Sequence, residues 1–392
     1  MTVAEAQLLD TVKEIGPLLH ALGDEGERSR RLPKRAFDAL ADAGLQRMFT
    51  PKSLGGLEVD PITCARVIEE VGRYDSAAAW ALQSGNSGAW WSARLPDTGV
   101  EEIYGSNPNV LMAAAFHPPQ TAVEVSGGYR VTGRGPLAST VHDAEWLLLT
   151  AIVMHDSQPK MIDGTPEVIA VVLRTREAQI VDTWDTLGMR GTDSNDVAVD
   201  DVFVPTSRTF RLVPAFTPSK HYQGALYRFP GIAEASVIVA PVLLAIARGA
   251  IDAFLELARS KTPFGSTRLL RDRLTVQNAL ARAEASWRSA RALFYDSLDV
   301  GWKRAVASEP FTLEQKADLL LAGVHAAHSS WKVVDHMHRL AGTSAIYRRS
   351  RLERHLRDAM TLRHHGFVSE SKYESVGQVF LGLPPEFALV AF

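Results

Sequence analysis

The segment Leu187-Gly-Met-Arg-Gly-Thr-Asp-Ser194 leads into the run Val202-Phe-Val-Pro205, and together they carry more information about the fold than any other stretch of the chain. The two glycines mark a loop, because glycine adopts backbone conformations that other residues avoid. The valine-rich residues 197–204 then indicate a strand, since β-branched side chains fit a pleated surface. We therefore predict a glycine-containing loop that runs into a strand.

Strand patterns also precede this loop. Residues 123–126 and 129–132 are alternating runs on either side of Gly127-Gly128, which is a hairpin signal. Residues 146–154 and 168–173 are further apolar runs of strand length. These patterns predict a β-rich central domain over residues 109–215.

Helical spacing occurs on both sides of the central domain. Pro33 begins one helical segment and Gly44 ends it, as these residues often do. Near the C-terminus, apolar residues recur at steps of three and four, at Leu320, Val324, Ala327, Trp331 and Val334. We predict an N-terminal helical domain over residues 1–108 and a C-terminal helical bundle domain over residues 216–392.

The composition excludes several classes of protein. With 46% hydrophobic residues and a net charge of −3, the 392-residue chain is not disordered, and it has no general electrostatic reason to bind nucleic acid or an anionic membrane. The longest apolar stretch, residues 235–247, contains Pro241 and is shorter than the roughly 20 residues that cross a bilayer. Residues 1–22 lack the pattern of a signal peptide, and the single cysteine, Cys64, suits a reducing compartment. We expect a cytoplasmic protein in which any redox chemistry depends on a bound cofactor.

Common catalytic signatures are absent or misplaced. The run Gly133-Arg-Gly-Pro-Leu-Ala138 fits a dinucleotide-binding pattern, but it lies between two predicted strands, and Pro136 stands where a helix should begin. Several histidines lie between His325 and His365 without the E-x-x-H pairs of a di-iron bundle. We predict no metal site.

Five stretches, in this order, resemble the acyl-CoA dehydrogenase family over essentially the whole chain. They are Pro51-Lys-Ser-Leu-Gly-Gly56, Ala77-Ala-Ala-Trp80, residues 133–140, residues 187–194 and Arg354-His-Leu-Arg-Asp358. The resemblance implies a mainly α fold with a central β domain: an N-terminal helical domain, a β-barrel or β-sandwich middle domain and a C-terminal four-helix bundle.

The glutamate that removes a substrate proton in acyl-CoA dehydrogenases has no counterpart at its usual position. It lies in a Tyr-Glu-Gly-Thr-like turn soon after the Arg-Asp pair, where this sequence reads Arg363-His-His-Gly366. The alternative position, on the first long bundle helix, is apolar over residues 238–244, and Glu234 is the only candidate nearby. Dehydrogenation of a thioester therefore lacks a placed base.

A second branch of the family, the two-component flavin-dependent monooxygenases or group D hydroxylases, is more similar. The likeness lies in residues 182–192, in the histidines after Asp358 and in Ser371-Lys-Tyr-Glu-Ser-Val-Gly377. It implies an oxygenase component that receives reduced FMN or FAD from a separate NAD(P)H:flavin reductase. With O2, such enzymes form a flavin C4a-hydroperoxide and hydroxylate a small aromatic or phenolic substrate. The resemblance also implies a homotetramer.

Alternatives stay open at this point. A flavin-dependent acyl-CoA dehydrogenase-like oxidoreductase, or an N-oxidising monooxygenase acting on an amine or amino sugar, would share the fold. A scaffold without chemistry would act by oligomeric contact alone. The sequence decides neither FMN versus FAD nor the substrate and the position oxygenated.

The resemblance assigns three residues to catalysis. Ser139 stands where the family places a hydroxyl against flavin N5, and a hydrogen bond there would hold the N5 proton. His365 lies within one residue of the dehydrogenase glutamate, and histidine can serve as base or acid near neutral pH. His364 is the alternate.

Further residues are assigned to the flavin. In the stretch Lys261-Thr-Pro-Phe264-Gly265, lysine replaces the arginine of an Arg-x-x-Phe-Gly element that grips the FAD pyrophosphate of a neighbouring subunit. Lysine offers a point charge in place of a bidentate contact, which suits a flavin that arrives and leaves. The remaining flavin-binding candidates are Trp184, predicted to open a strand, together with Gly188, Arg190, Gly191 and Thr192.

Overall fold

Five helices form the N-terminal part of the computed structural model, which describes residues 2–392, with the side chains of Pro118, Glu234 and Ala235 outside the description. They are α1 (Val3–Ser29), α2 (Lys34–Asp42), α3 (Pro61–Tyr74), α4 (Ser76–Trp91) and α5 (Asp97–Tyr104). The carboxylate of Asp75 accepts a hydrogen bond from the N–H of Ala78 at 2.8 Å and so fixes the start of α4. This cap sets the position of Trp80, one turn further along the helix.

The central domain is built on one mixed sheet with the strand order β10-β7-β3-β1-β2-β9-β8. β1 and β2 form the predicted hairpin, with Val125 opposite Gly128, while β1 and β3 run parallel. A short strand, β4, pairs with β3, and β5 and β6 form a separate small hairpin. The strands are β1 (Met112–Val125), β2 (Gly128–Ala138), β3 (Trp146–His155), β4 (Gln158–Pro159), β5 (Met161–Ile162), β6 (Thr165–Pro166), β7 (Val168–Arg174), β8 (Gln179–Val181), β9 (Asn195–Pro205) and β10 (Thr209–Arg211).

Strand β3 is apolar on both faces because each face is buried in a different core. Leu147 and Leu149 pack inside the central domain, whereas Trp146 and Leu148 belong to the core that includes the helices. A continuous apolar run is typical of a strand covered on both sides. The sheet is therefore fixed against the helices.

The C-terminal part consists of α6 (Gly231–Ser260), α7 (Leu274–Val306), α8 (Leu313–Ala341), α9 (Arg351–Leu362) and α10 (Lys372–Phe380). Helix α6 continues through Pro241 for 30 residues, so it is much longer than the apolar stretch read from the sequence. By length and composition α6 could span a membrane, but 78% of its most apolar window is buried within the protein. Its closest neighbours are α8 and α3, as expected for the core helix of a bundle.

The order of helices, sheet and helical bundle confirms the predicted fold class. The predicted boundaries after residues 108 and 215 fall in the connections between α5 and β1 and between β10 and α6. As divisions between domains they stay predictions.

Candidate active site

A chain of hydrogen bonds links α4 with two loops of the central domain. The indole Nε1–H of Trp80 donates to Ser139 Oγ at 2.9 Å, and Ser139 Oγ lies 2.8 Å from Ser194 Oγ. Ser194 Oγ is 2.7 Å from Thr192 Oγ1, which donates to the carbonyl of Met189 at 2.9 Å. All members are buried except Ser139, which is half-buried. Ser139 is therefore the member of the chain that a ligand can reach.

Ser139 lies in a tight loop after β2. Leu137 and Thr140, on either side, have φ angles of 64° and 58°, a left-handed conformation that non-glycine residues rarely adopt. The N–H of Thr140 donates to the carbonyl of Thr192 at 2.8 Å, which ties this loop to the next one. Strained positions of this kind cluster at functional sites, where the surrounding structure over-determines the backbone.

His365 lies in the loop that follows α9, and its ring packs edge-on against Trp80 with 5.2 Å between ring centroids. The backbone N–H of Phe367 donates to His365 Nδ1 at 3.4 Å. Because Nδ1 accepts, the neutral ring carries its proton on Nε2. Burial lowers the pKa of His365 to about 4, so the imidazole is neutral at pH 7. His365 is therefore a hydrogen-bond donor through Nε2 and a weak base.

His364 has a different setting from its neighbour. Its side chain is exposed, and its backbone N–H donates to the carbonyl of Thr361 at 3.3 Å. The structure thus brings His365 against the indole that binds Ser139, and it leaves His364 at the surface. The catalytic roles of both histidines stay predictions.

The loop between β8 and β9 is fastened to α9 by charge-assisted hydrogen bonds. Asp358 Oδ1 accepts from the N–H of Met189 at 2.6 Å, and Asp358 Oδ2 accepts from the hydroxyl of Ser76 at 2.5 Å. Arg354 Nε lies 3.7 Å from the same Oδ2 atom. Asp358 is buried, and this burial raises the pKa of its carboxyl. Its hydrogen-bond partners offset the cost of placing a carboxylate in the interior.

The two glycines of this loop are explained by packing within the chain. A Cβ atom on Gly188 would lie 2.2 Å from the backbone carbonyl of Arg357, so only glycine allows this approach to α9. A Cβ atom on Gly191 would lie 3.0 Å from the Cβ of Ala77 on α4. The predicted contacts of Gly188 and Gly191 with flavin stay predictions.

Trp184 and Arg190 hold the same loop from within. Trp184 is buried, and its Nε1–H donates to the carbonyl of Met189 at 3.0 Å. The prediction that Trp184 opens a strand is wrong, because its backbone N–H binds the side chain of Asn195 in place of a neighbouring strand. Arg190 Nη1 donates to Asp185 at 3.0 Å. The flavin contacts predicted for Trp184 and Arg190 are untested by these bonds.

Two family models and a curated relative match the chain. The acyl-CoA dehydrogenase N-terminal domain matches residues 8–95, and the acyl-CoA dehydrogenase C-terminal domain matches residues 237–370. Indole-3-acetate monooxygenase from Pseudomonas putida is 33% identical over 94% of this chain and 95% of its own length. The chain belongs to the acyl-CoA dehydrogenase family.

Further relatives define the branch of the acyl-CoA dehydrogenase family. The flavin-dependent monooxygenase oxygenase subunit HsaA from Rhodococcus jostii is 26% identical over 94% of this chain and 96% of its own. The structure of XiaF from Streptomyces sp., in complex with FADH2 and glycerol, has a TM-score of 0.91 at 26% identity, covering 98% of this chain and 97% of XiaF. This family member is a flavin-dependent monooxygenase, and reduced flavin is its cofactor.

The dehydrogenase base is missing where the acyl-CoA dehydrogenase family would place it. Residues 363–367, after α9, contain no carboxylate, and Glu370 is exposed. The side chain of Glu234, the other candidate, lies outside the described residues. The described part of this monooxygenase thus offers a histidine where a dehydrogenase has its glutamate.

Lys261 and Phe264 lie apart from the Ser139 cluster in a single chain of this monooxygenase. Lys261 Nζ donates to the carbonyl of Ala341 at 2.5 Å, which caps the C-terminal end of α8. Phe264 is fully exposed in the loop after α6. Their assignment to a neighbouring subunit's flavin stays a prediction.

The groups around Ser139 fit a flavin ring. Ser139 offers the accessible hydroxyl of the buried hydrogen-bond chain. Trp80 and His365 place flat rings beside this hydroxyl, and neither ring carries a formal charge at pH 7. Thr192 is buried and hydrogen-bonded to Ser194, and its predicted contact with flavin stays a prediction. Among the described residues, no group of three or more His, Cys, Asp or Glu side chains could hold a metal ion.

Three site residues of this monooxygenase escaped the sequence analysis. Trp80 lies in the core that includes the helices, and the sequence analysis gave no role in the site to Trp80, Ser194 or Phe367. The bonds that reveal Trp80 and Ser194 join residues 59 and 55 positions apart, whereas Phe367 binds His365 two positions away. The paired hydroxyl segments, residues 139–140 and 192–194, are the one sequence signal that could have suggested a shared network.

Proposed function

We propose that this monooxygenase is the oxygenase component of a two-component system. It takes FMNH2 or FADH2 from a separate NAD(P)H:flavin reductase and hydroxylates an electron-rich aromatic substrate. The observation that carries the proposal is that Trp80 joins Ser139, the accessible member of a buried hydrogen-bond chain, to the neutral ring of His365. The relative named as an oxygenase subunit supports the separate reductase.

Each residue has a distinct task in this proposal. Bound reduced flavin supplies the electrons that activate O2 for transfer of one oxygen atom to the substrate. Ser139 Oγ accepts a hydrogen bond from the N5 proton and keeps that proton in place. Trp80 and Met189, both buried, exclude water from the hydroxyl chain behind it.

His365 favours an indole-type substrate over a phenol. A phenol reacts faster when a base removes its proton, but an imidazole with a pKa of about 4 is a poor base at neutral pH. An indole needs no such step, because its five-membered ring is already nucleophilic. The 33% identity to indole-3-acetate monooxygenase supports the same choice. A phenolic substrate is the second candidate.

The test supplies chemically reduced FMN or FAD, ¹⁸O2 and either indole-3-acetate or resorcinol, with mass spectrometry of the products. We expect one ¹⁸O atom in the indole product and slower conversion of the phenol. The His365→Phe variant keeps a ring against Trp80 but loses the Nε2–H, the hydrogen-bond donor that His365 offers to the oxygen being transferred, so it should lose hydroxylation. His155→Gln, at an exposed histidine on β3, should not. Flavin oxidation without ¹⁸O in either aromatic product would contradict the proposal.

The same assay separates the other chemistries. An acyl-CoA thioester, supplied with oxidised FAD because dehydrogenation must reduce the flavin, and an amino sugar, supplied with reduced flavin and O2, replace the aromatic compound. We expect neither to be converted. For the thioester, the reason is that residues 363–367, where the dehydrogenase glutamate would lie, contain no carboxylate. Formation of an enoyl thioester or an N-oxidised sugar would favour the dehydrogenase or N-oxidising alternative.

We also propose a homotetramer in which the loop carrying Lys261 and Phe264 reaches the flavin of a neighbouring subunit. Phe264 is fully exposed on a single chain, so its ring is accessible to a neighbouring subunit. Light scattering should give a tetramer, and Phe264→Asp should weaken flavin binding. A monomeric wild-type protein with full flavin affinity would contradict this assembly. A cytoplasmic location likewise stays a prediction.

A further inference from the structure

The hydrogen bonds around Ser139 run in one direction. Thr192 Oγ1 lies 2.9 Å from the carbonyl oxygen of Met189, and two oxygen atoms at this distance attract each other only when the hydroxyl donates. With its single proton used, Thr192 must accept from Ser194 at 2.7 Å. Ser194 in turn must accept from Ser139 at 2.8 Å. The indole of Trp80, which can only donate, begins the chain.

This direction decides what Ser139 offers at its accessible side. A serine hydroxyl has one proton and two lone pairs. The proton points to Ser194, and one lone pair accepts from Trp80. The second lone pair is left for a ligand, so Ser139 acts towards that ligand as an acceptor.

Flavin N5 changes its hydrogen-bonding character with redox state: it donates when the flavin is reduced and accepts when the flavin is oxidised. We propose that Ser194 and Thr192 are positioning residues that fix the Ser139 proton and so make the site prefer reduced over oxidised flavin. The inference rests on the proposed function, which places N5 at Ser139. Such a preference would retain the flavin that a reductase delivers and release it after oxidation.

Two substitutions should free the Ser139 proton. Ser194→Ala removes its acceptor, so the Ser139 hydroxyl can turn and donate to oxidised N5. Thr192→Val removes the acceptor of Ser194, which can then turn and donate to Ser139 with the same result. Thr192→Ser keeps the hydroxyl and the direction of the chain. Ser92→Ala is the matched control, because Ser92 is equally buried and its hydroxyl donates to the carbonyl of Gly88 at 2.8 Å.

The first experiment is an anaerobic titration of each variant with FMN and with photoreduced FMNH2. We expect the wild-type protein to bind FMNH2 more tightly than FMN. The ratio of the two dissociation constants should fall about tenfold in Ser194→Ala and Thr192→Val, which corresponds to a shift of about 30 mV in the potential of the bound two-electron couple. Thr192→Ser and Ser92→Ala should keep the wild-type ratio. A wild-type ratio in both Ser194→Ala and Thr192→Val would overturn the inference.

The second experiment uses the flavin-free protein. Hydrogen bonds in a chain polarise one another, so loss of the Ser194 hydroxyl should weaken the bond from Trp80 and move its Nε1 proton resonance upfield. Trp80→Phe identifies that resonance, and Ser92→Ala should leave it unchanged. An unmoved resonance in Ser194→Ala would overturn the polarised chain. If the resonance moves but the wild-type protein binds neither FMN nor FMNH2, the proposed function fails and the inference with it. If the wild-type protein binds flavin as expected but the ratio of dissociation constants is unchanged in Ser194→Ala and Thr192→Val, only the inference fails.

Discussion

The loop over residues 187–194 is fastened at its two ends by different chemistry. Near its start, the N–H of Met189 binds the buried carboxylate of Asp358 at 2.6 Å. Near its end, Thr192 and Ser194 bind one another through neutral hydroxyls at 2.7 Å. The charged end holds the loop in position, whereas the two hydroxyls, here called the neutral end, can direct a proton at the site without a charge of their own. The carboxylate of Asp193, between them in the chain, binds His142 Nδ1 at 2.8 Å. Changes at the charged end should therefore affect stability most, and changes at the neutral end should affect chemistry most.

The largest expected effect is loss of stability in Asp358→Ala. The substitution leaves the N–H of Met189 without its partner and removes a counter-charge from Arg354. Removing one partner of a buried, hydrogen-bonded charge pair typically lowers the free energy of unfolding by about 3–5 kcal/mol. Urea unfolding measures the change in the free energy of unfolding. The control is Asp335→Ala, which breaks an i,i+4 surface pair with Arg339 and should stay within about 1 kcal/mol of wild type. Equal shifts in the two variants would remove the distinction between the charged end and an ordinary surface pair.

The second prediction concerns acid, because α9, which carries Asp358, also carries a buried histidine. Burial, with the nearby cations Arg351, Arg354 and His20, lowers the pKa of His355 to about 3, against about 6.5 in an unfolded chain. Below about pH 6.5 the unfolded chain therefore binds a proton that the folded chain refuses. The free energy of unfolding should fall by about 1.4 kcal/mol per pH unit from there towards pH 3.

His355→Leu should remove this part of the acid sensitivity, as measured by urea unfolding at several pH values from 7 downwards. Ser194→Ala should keep the wild-type slope, because hydroxyls do not titrate in this range. A slope that is unchanged in His355→Leu would show that the acid response arises elsewhere.

Local features of the fold could be predicted from the sequence, and distant ones could not. The hairpin at Gly127-Gly128 depends on adjacent residues, so its pattern was readable. The apolar stretch at Pro241 looked too short because a proline usually ends a helix, yet packing within the core carries α6 through it. Trp184 looked like a strand residue, but its buried indole holds a loop.

The candidate site also combines residues that could be predicted from the sequence with residues that could not. Ser139 and His365 came from the family resemblance, which fixes positions without explaining them. The partners that give Ser139 its character, Trp80 and Ser194, lie 59 and 55 residues away in the chain. No local pattern could place them together, since only the docking of α4 and the two loops does so.

A smaller effect is expected from Ser139→Ala, which acts at the neutral end. Loss of one hydrogen bond to the flavin should lower the product formed per flavin oxidised by about tenfold, with peroxide accounting for the rest. The free energy of unfolding should change by only about 1 kcal/mol. Product and peroxide yields are measured together, with Ser92→Ala as the control. A fully coupled Ser139→Ala enzyme would remove the serine from the mechanism.

The smallest effect is expected from Trp80→Phe, which removes the donor at the head of the chain but keeps a ring against His365. The Ser139 proton is directed by its acceptors, so Ser194 and Thr192 still hold it after this change. The preference for reduced flavin should therefore change by about threefold or less, less than in Ser194→Ala, in the same anaerobic titrations. If Trp80→Phe had a larger effect than Ser194→Ala, the indole of Trp80 on α4, and not Ser194 and Thr192, would fix the position of the Ser139 proton.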